Sequence, residues 1–392
     1  MCNHILISLV IPTYNCSEHL SRCIKSLVEQ TFKHFEIILV DDGSTDSTFE
    51  IIQEYAAKHS NIFAYRQQHA FAGAARNLGL SKARGTYILF LDSDDFFEPA
   101  LLQHAYNRIT EADADICVFG ANWLNNRTGE IKPMDHACRV DLCPATGTFN
   151  RHTNPRYIFC FTTPAPWTKL YRRSFIEDNC LRFQETRSAN DLQFTFTSLA
   201  LADKITLLDE KLVVYRRENE SSLQSTQRED PLSFYKALIA LRQGLIDRGV
   251  FPDVRHAYGN AALDMCMYNL RTLKDFPESQ RKVFEFLKST GLKELGIANK
   301  PKDYFYIYPD SRYSDYLLVR GGDFEQYRAA TNSSAVRKRS VKERLRSIIP
   351  LRASTFEKSR KSLYKEIDAL KEQNRDLSEK LSKCLELLQE MK

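Results

Sequence analysis

Tyr87-Ile-Leu-Phe-Leu-Asp-Ser-Asp-Asp95 sets an unbroken apolar run directly against an acidic cluster. A short run of this kind, bounded by polar residues, predicts a buried strand over residues 87–91, with the carboxylates just past its carboxyl end. The same pairing recurs upstream. Residues 6–11 are apolar and run into Pro12-Thr-Tyr-Asn15, and residues 35–40 are apolar and run into Asp41-Asp42-Gly43-Ser44. Between these strands the period changes. Leu20, Cys23, Ile24, Leu27 and Val28 fall on one helical face. Ser47 with Glu50 three residues later reads as a capping box, and Phe49, Ile52 and Ala56 carry that helix inward. Residues 62–65 read as a short third strand, residues 72–83 as a helix that stops at Gly85, and residues 116–120 as a fifth strand. Pro99 suits the first turn of a further helix. Alternating strands and helices predict an α/β fold with a mostly parallel sheet covered on both faces. In such sheets ligands bind beyond the carboxyl ends of the strands. The three polar clusters are therefore expected to converge on one site.

Composition agrees with a folded, enzyme-sized chain. Of 392 residues, 43% are hydrophobic and 27% charged, with a net charge of only +5, so nucleic-acid binding is not expected. The ten cysteines form no regular framework, and a reducing, cytoplasmic setting is the simpler reading. His136, Cys138, Cys143 and His152 are a cluster to check for zinc, though their spacing fits no standard module. No apolar run is long enough for a transmembrane helix. The apolar start lacks a basic n-region and a cleavage site, so it reads as a strand rather than a signal peptide.

Asp92 and Asp94, one residue apart at a strand end, can present oxygens to one hard divalent cation. Crowded carboxylates also need such a charge to be stable in their ionised form. The usual glycine loops for nucleotides are missing: no Gly-x-Gly-x-x-Gly follows the first strand, and there is no Gly-x-x-x-x-Gly-Lys-Ser/Thr. A diphosphate would then be held by a metal instead.

Ser8-Leu-Val-Ile-Pro-Thr-Tyr-Asn15, Val40-Asp-Asp-Gly-Ser-Thr-Asp46, Ala74-Ala-Arg-Asn-Leu-Gly79 and Tyr87-Ile-Leu-Phe-Leu-Asp-Ser-Asp-Asp95 resemble the successive blocks of family-2 glycosyltransferases. The likeness continues more weakly through Pro166-Trp-Thr-Lys-Leu-Tyr-Arg-Arg173, Asn190-Asp-Leu-Gln-Phe194 and Tyr215-Arg216. It implies a GT-A fold, a nucleotide-diphosphate sugar donor, probed first as a UDP-sugar, and inversion at the anomeric carbon. By the same resemblance Pro12, Thr13 and Tyr14 line the nucleotide pocket. Asp41 or Asp42 bonds the base, Asp92 contacts the donor and shares the metal region, and Asp94 binds Mg²⁺ or Mn²⁺. Arg76 and Asn77 either touch the donor or brace the loop beneath the diphosphate. Asp191 is the expected catalytic base. The chain departs from the family in two places. Asn190 stands where Glu is usual, and His69-Ala-Phe-Ala-Gly73 replaces a glycine-rich stretch, where Phe71 either narrows the loop or packs under it. Trp167 and Lys169 are given no catalytic role.

The remaining chain divides into a mainly helical region over 226–335, a basic linker over 336–354 and a coiled coil over 355–392, after a glycosyltransferase domain over 1–225. Leu363, Leu370, Leu377, Cys384 and Met391 take d positions, and Ile367, Asn374, Leu381 and Leu388 take a positions. A homo-oligomer is expected from these heptads. The basic stretch with Val341, Leu345, Ile348 and Ile349 predicts peripheral contact with an anionic membrane. The expected acceptor is a glycan or lipid-linked hydroxyl in bacterial surface polysaccharide synthesis. Two rivals remain at this point: a metal-dependent nucleotidyltransferase, and a degenerate copy serving as a coiled-coil scaffold. Retention of Asp42, Asp94 and Asp191 argues against the scaffold.

Overall fold

The computed structural model describes residues 5–126, 128–145, 147–217, 229–306 and 310–332. Residues Met1–Arg328 form one compact unit; the second, Ala329–Lys392, contributes only the end of one helix to the described residues. The basic stretch and the heptads therefore lie outside the described residues. Among the described residues, no helix is long and apolar enough to cross a membrane.

Among the described residues nine strands make one sheet. They are β1 (Ile7–Thr13), β2 (Phe35–Asp41), β3 (Ile62–Arg66), β4 (Tyr87–Phe90), β5 (Phe96–Phe97), β6 (Ile116–Asn125), β7 (Ile131–Met134), β8 (Lys169–Arg172) and β9 (Ile205–Arg217). Their order is β3-β2-β1-β4-β8-β6-β9-β5, with β7 on β6. The strands expected from the sequence up to residue 90 pair in parallel, β3-β2-β1-β4. Past β4 the sheet is mixed: β8 runs antiparallel to both β4 and β6, while β9 runs parallel to β6.

Strands β1, β2 and β4 are buried on both faces while the edge strand β3 is only partly covered, and alternate residues feed two cores. Val10, Ile38, Val40, Ile88 and Phe90 enter one, and Leu9, Ile11, Ile37, Leu39, Leu89 and Leu91 the other. The second core is closed by α1 (Ser17–Val28), α2 (Thr48–Lys58) and α4 (Leu101–Glu111). The first is closed by α3 (Phe71–Lys82), the short α5 (Arg173–Asp178), α6 (Asn190–Leu201), α7 (Ser233–Asp247) and α8 (Phe251–Thr272). It continues through α9 (Pro277–Phe286), a π turn leading into α10 (Leu292–Glu294), α11 (Asp310–Gly321) and α12 (Phe324–Asn332). The helical region thus shares a core with the sheet. In α3, Gly79 lets the helix lie against β1, since a Cβ there would stand 2.4 Å from Val10 Cγ1.

One local expectation is corrected. Ser47 makes no side-chain cap for α2, so the capping box does not form. Asp46 takes its place. Its Oδ1 accepts the Thr48 N–H at 3.0 Å and its Oδ2 accepts the Ser17 N–H at 3.2 Å, so one carboxylate serves the first turns of α1 and α2 together.

Candidate active site

The register of the parallel strands brings the polar clusters to one edge. Thr13 pairs with Asp41, and Asp41 with Arg66, while Leu91 donates its N–H to the Val10 carbonyl just before Asp92. Pro12, Thr13, Asp41 and Asp42 are buried, and Tyr14 stands 46% exposed at the rim.

The two aspartates after β2 behave differently. Asp42 Oδ1 accepts Gln67 Nε2 at 2.7 Å and the Ala70 N–H at 2.8 Å, and Oδ2 lies 2.9 Å from His69 Nδ1. Its carboxylate is occupied by the loop that follows β3. Asp41 Oδ2 pairs with Arg66 Nε at 3.0 Å and accepts the Ser44 N–H at 3.2 Å, but its buried Oδ1 has no hydrogen-bond partner. Of the pair, Asp41 retains an acceptor for an incoming N–H.

Arg76 joins the two halves of the edge. It is only 6% exposed, and it donates to Asp92 Oδ1 at 2.7 Å and to Asn190 Oδ1 at 2.9 Å. Asn190 and Asp191 open α6 directly after Ala189, which is held at φ +55, a left-handed conformation that is strained for a residue with a Cβ. The Asn at 190 still engages the guanidinium, but it brings no charge. Arg76 is therefore neutralised by Asp92 alone at this point, and its field also reaches Asp191. The Asp191 carboxyl is raised above its ordinary value by burial and by Asp92, against the lowering influence of Arg76 and Lys169. Asn77 does brace a loop: it donates to the Phe183 carbonyl at 3.0 Å and accepts the Phe183 N–H at 2.9 Å. Gly73 permits that approach, because a Cβ there would meet Gln184 O at 1.9 Å.

Asp92, Asp94 and Asp95 crowd the end of β4. Asp95 is buried; its Oδ1 accepts the Arg216 N–H at 2.9 Å and its Oδ2 has no partner. Burial, then Asp94 and Asp92, push its carboxyl well above the carboxylate range. Arg216 also donates from Nε to the Asp94 carbonyl at 3.0 Å. Sequence reasoning gave no role to Asp95 or Arg216. The run of three aspartates in four positions was the available signal for Asp95. Crowded carboxylates with one orphaned oxygen, on Asp95, are a donor set that fits a hard divalent cation, which Asp94 and Asp92 would hold. Among the described residues no three His, Cys, Asp or Glu are grouped to hold a metal by themselves, so the other ligands would be donor oxygens and water. The same finding removes the zinc expectation. His152 lies 3.9 Å from Asp253.

Lys169 is fully buried, with Nζ at 2.8 to 3.0 Å from the oxygens of Thr162, Thr163, Ala165 and Thr168. Burial lowers its ammonium to about 7. It ties down the segment that carries Trp167, which stacks on Tyr215 at 5.5 Å with planes 8° apart. Trp167 is buried, as expected of a core residue. The eight described cysteines are all free.

A family model described as Glycosyl transferase family 2 matches residues 8–179. The uncharacterized glycosyltransferase EpsJ of Bacillus subtilis is 35% identical over 221 residues, 56% of this chain and 62% of EpsJ. EpsH of the same organism is 31% identical over 248 residues, 60% of this chain and 69% of EpsH. In fold, the chain resembles the crystal structure of Staphylococcus aureus TarS 1–349 in complex with UDP-GlcNAc. The TM-score is 0.56 at 24% identity, over 84% of this chain and 92% of that one. Over its full length TarS, a poly(ribitol-phosphate) beta-N-acetylglucosaminyltransferase, is matched for only 39%. The fold is of the GT-A type, and the chain belongs to glycosyl transferase family 2.

Proposed function

We propose that the chain transfers a sugar from a UDP-sugar to a hydroxyl of a glycan or lipid-linked acceptor, with inversion, in building a bacterial cell-surface polymer. The observation that carries this reading is the bridge from Asp92 through Arg76 to the first turn of α6, with contacts of 2.7 and 2.9 Å. It supports the reading because Asp92 is tied to Asn190, the neighbour of the proposed base Asp191. TarS, bound to UDP-GlcNAc and described as a poly(ribitol-phosphate) beta-N-acetylglucosaminyltransferase, supplies the precedent for the donor and for a polymeric acceptor.

Each residue then has a task. Thr13, Tyr14 and Asp41 receive the nucleoside, the free Oδ1 of Asp41 accepting an N–H of the base. Asp94 and Asp92 would hold Mg²⁺ or Mn²⁺, which would supply positive charge against the diphosphate leaving group. Arg76 keeps Asp92 in place. Asp191 takes the proton from the acceptor hydroxyl as that oxygen bonds the anomeric carbon and the bond to the phosphate oxygen breaks. Its raised carboxyl makes it a stronger base than a solvated aspartate. A single displacement requires no enzyme nucleophile.

Screening UDP-sugars for UDP release with Mn²⁺ and glycan acceptors tests the reading. UDP release supports it. Pyrophosphate exchange with a sugar phosphate, without UDP release, would transfer the site to a nucleotidyltransferase.

A further inference from the structure

Three rings form a ladder at the rim of β1 and β3. Tyr14 and His69 stack with centroids 4.2 Å apart and planes at 27°, and Phe71 meets His69 edge-on at 4.8 Å. His69 is pinned on a further side, with Nδ1 2.9 Å from Asp42 Oδ2 and 3.2 Å from the Asp42 carbonyl oxygen. Asp42 is in turn held by Gln67 and the Ala70 N–H. The imidazole is therefore oriented by a carboxylate that has no further work to do.

The backbone is bent to achieve this. Gly43 sits at φ +77, and a Cβ there would stand 3.1 Å from the His69 nitrogen, so the loop passes close over the turn after β2. Phe71 is held at φ +71, a conformation that a bulky residue rarely adopts. Such strain persists only where surrounding contacts hold it, and it clusters at functional sites. Here it accompanies the edge contact to His69.

Beside the ladder Tyr14 is open to solvent and one buried oxygen of Asp41 lacks a partner. Tyr14 stays 46% exposed although His69 covers one face, so its other face is free to stack. Asp41 Oδ1 is buried and unpartnered, on the residue that pairs in register with Thr13. A flat heterocycle bearing an N–H satisfies both.

We infer that His69 is a positioning residue for the donor nucleobase: held by Asp42, it backs Tyr14 so that a base stacked on the open face of Tyr14 presents its N–H to Asp41. The inference rests on the nucleotide-sugar reading above. It also gives the departure at residues 69–71 a purpose, since a glycine-rich loop has no ring to set against Tyr14.

The experiment measures UDP affinity with Mn²⁺ for the native chain, His69→Ala and His69→Phe, together with saturation transfer from protein to the base and ribose protons of UDP. His69→Ala should weaken UDP about three- to tenfold, with the loss concentrated at the base protons. His69→Phe, which keeps a flat ring against Tyr14 but loses the Asp42 contact, should recover part of the affinity lost in His69→Ala, again at the base protons. Unchanged UDP affinity in His69→Ala overturns the inference while leaving the nucleotide reading intact. So does a uniform loss over base and ribose that Phe does not rescue, because that is loop collapse. A native chain that binds no UDP removes both readings.

Discussion

Glu36 and Asp95, buried at opposite edges of the parallel sheet, are held in opposite ways. At the amino edge Glu36 is 1% exposed and fully engaged. Its Oε1 accepts Ser8 Oγ at 2.6 Å and the Arg84 N–H at 2.8 Å, and its Oε2 accepts Arg84 Nε at 2.9 Å and Nη2 at 2.6 Å. At the carboxyl edge Asp95 has one bond and an orphaned oxygen, Asp92 and Asp94 press against it, and Asp191 is raised by burial and by Asp92. A satisfied carboxylate stabilises the fold and leaves nothing to bind. An unsatisfied one costs stability until a ligand supplies the missing partner. On the proposed function, structure falls to Glu36 at one edge and chemistry to the acidic cluster at the other.

The largest effects should therefore come from the carboxyl edge. Asp94→Ala should abolish turnover and weaken UDP binding, and EDTA should do the same to the native chain until Mn²⁺ is restored. Full activity of the mutant in EDTA sinks the metal assignment. Next comes Asp191→Asn, which keeps the shape and removes the proton acceptor. Transfer should fall by a factor on the order of 10²–10⁴ with UDP affinity near native. Because the base works ionised and its carboxyl is raised, native transfer should fail on acidification at a pH above the ordinary carboxylate value of 3.8. A collapse of UDP affinity in Asp191→Asn would place that residue in the nucleotide pocket instead.

How much of this contrast the sequence reveals depends on how local its cause is. β1, β2 and β4 are legible because a doubly buried parallel strand is an apolar run that stops at its polar end. β9 is not, because Asp209-Glu-Lys211 interrupts it where the pairing with β6 slips between Phe119 and Ala121. β5 has only two residues, too short for any period to show. Asp41, Asp92, Asp94 and Asp191 are legible as strand-end or helix-start carboxylates. The state of Asp95 is not, since its one partner is the backbone of Arg216, 121 positions away. Nor does any local pattern say which of Asp41 and Asp42 keeps a free oxygen, because that is decided by Gln67, His69 and Ala70 on another loop.

Breaking the amino edge should be felt in stability alone. Glu36→Gln removes the ion pair to Arg84, whose side chain is 55% exposed, so the loss is smaller than for a fully buried pair. A cost of about 1–3 kcal/mol in unfolding free energy is expected, with UDP affinity unchanged. Denaturant melts and UDP titrations on one preparation check it. A matching fall in UDP affinity would mean that the two edges are coupled through β2.

The smallest effect should have the opposite sign. The Asp95 carboxyl is raised in the folded chain by burial first and by Asp94 and Asp92 next, so the folded state binds its proton more tightly than the unfolded one. Stability must then fall as pH rises from the unfolded value near 3.8 towards the raised folded value. Asp95→Asn removes the ionisable group yet keeps an oxygen to accept the Arg216 N–H, and its amide can donate to the acidic neighbours. The variant should be more stable at pH 7 by an amount on the order of 1–2 kcal/mol, a rise of a few degrees in Tm. That gain should shrink as the pH falls towards the ordinary carboxylate range, where Asp95 is protonated in both states. It should also shrink when Mn²⁺ is added, since a cation relieves the same crowding in the native chain. Thermal melts at two pH values, with and without Mn²⁺, read all three effects. A variant less stable than native at pH 7 would show that the charge on Asp95 supports the edge, and the contrast with Glu36 would fail.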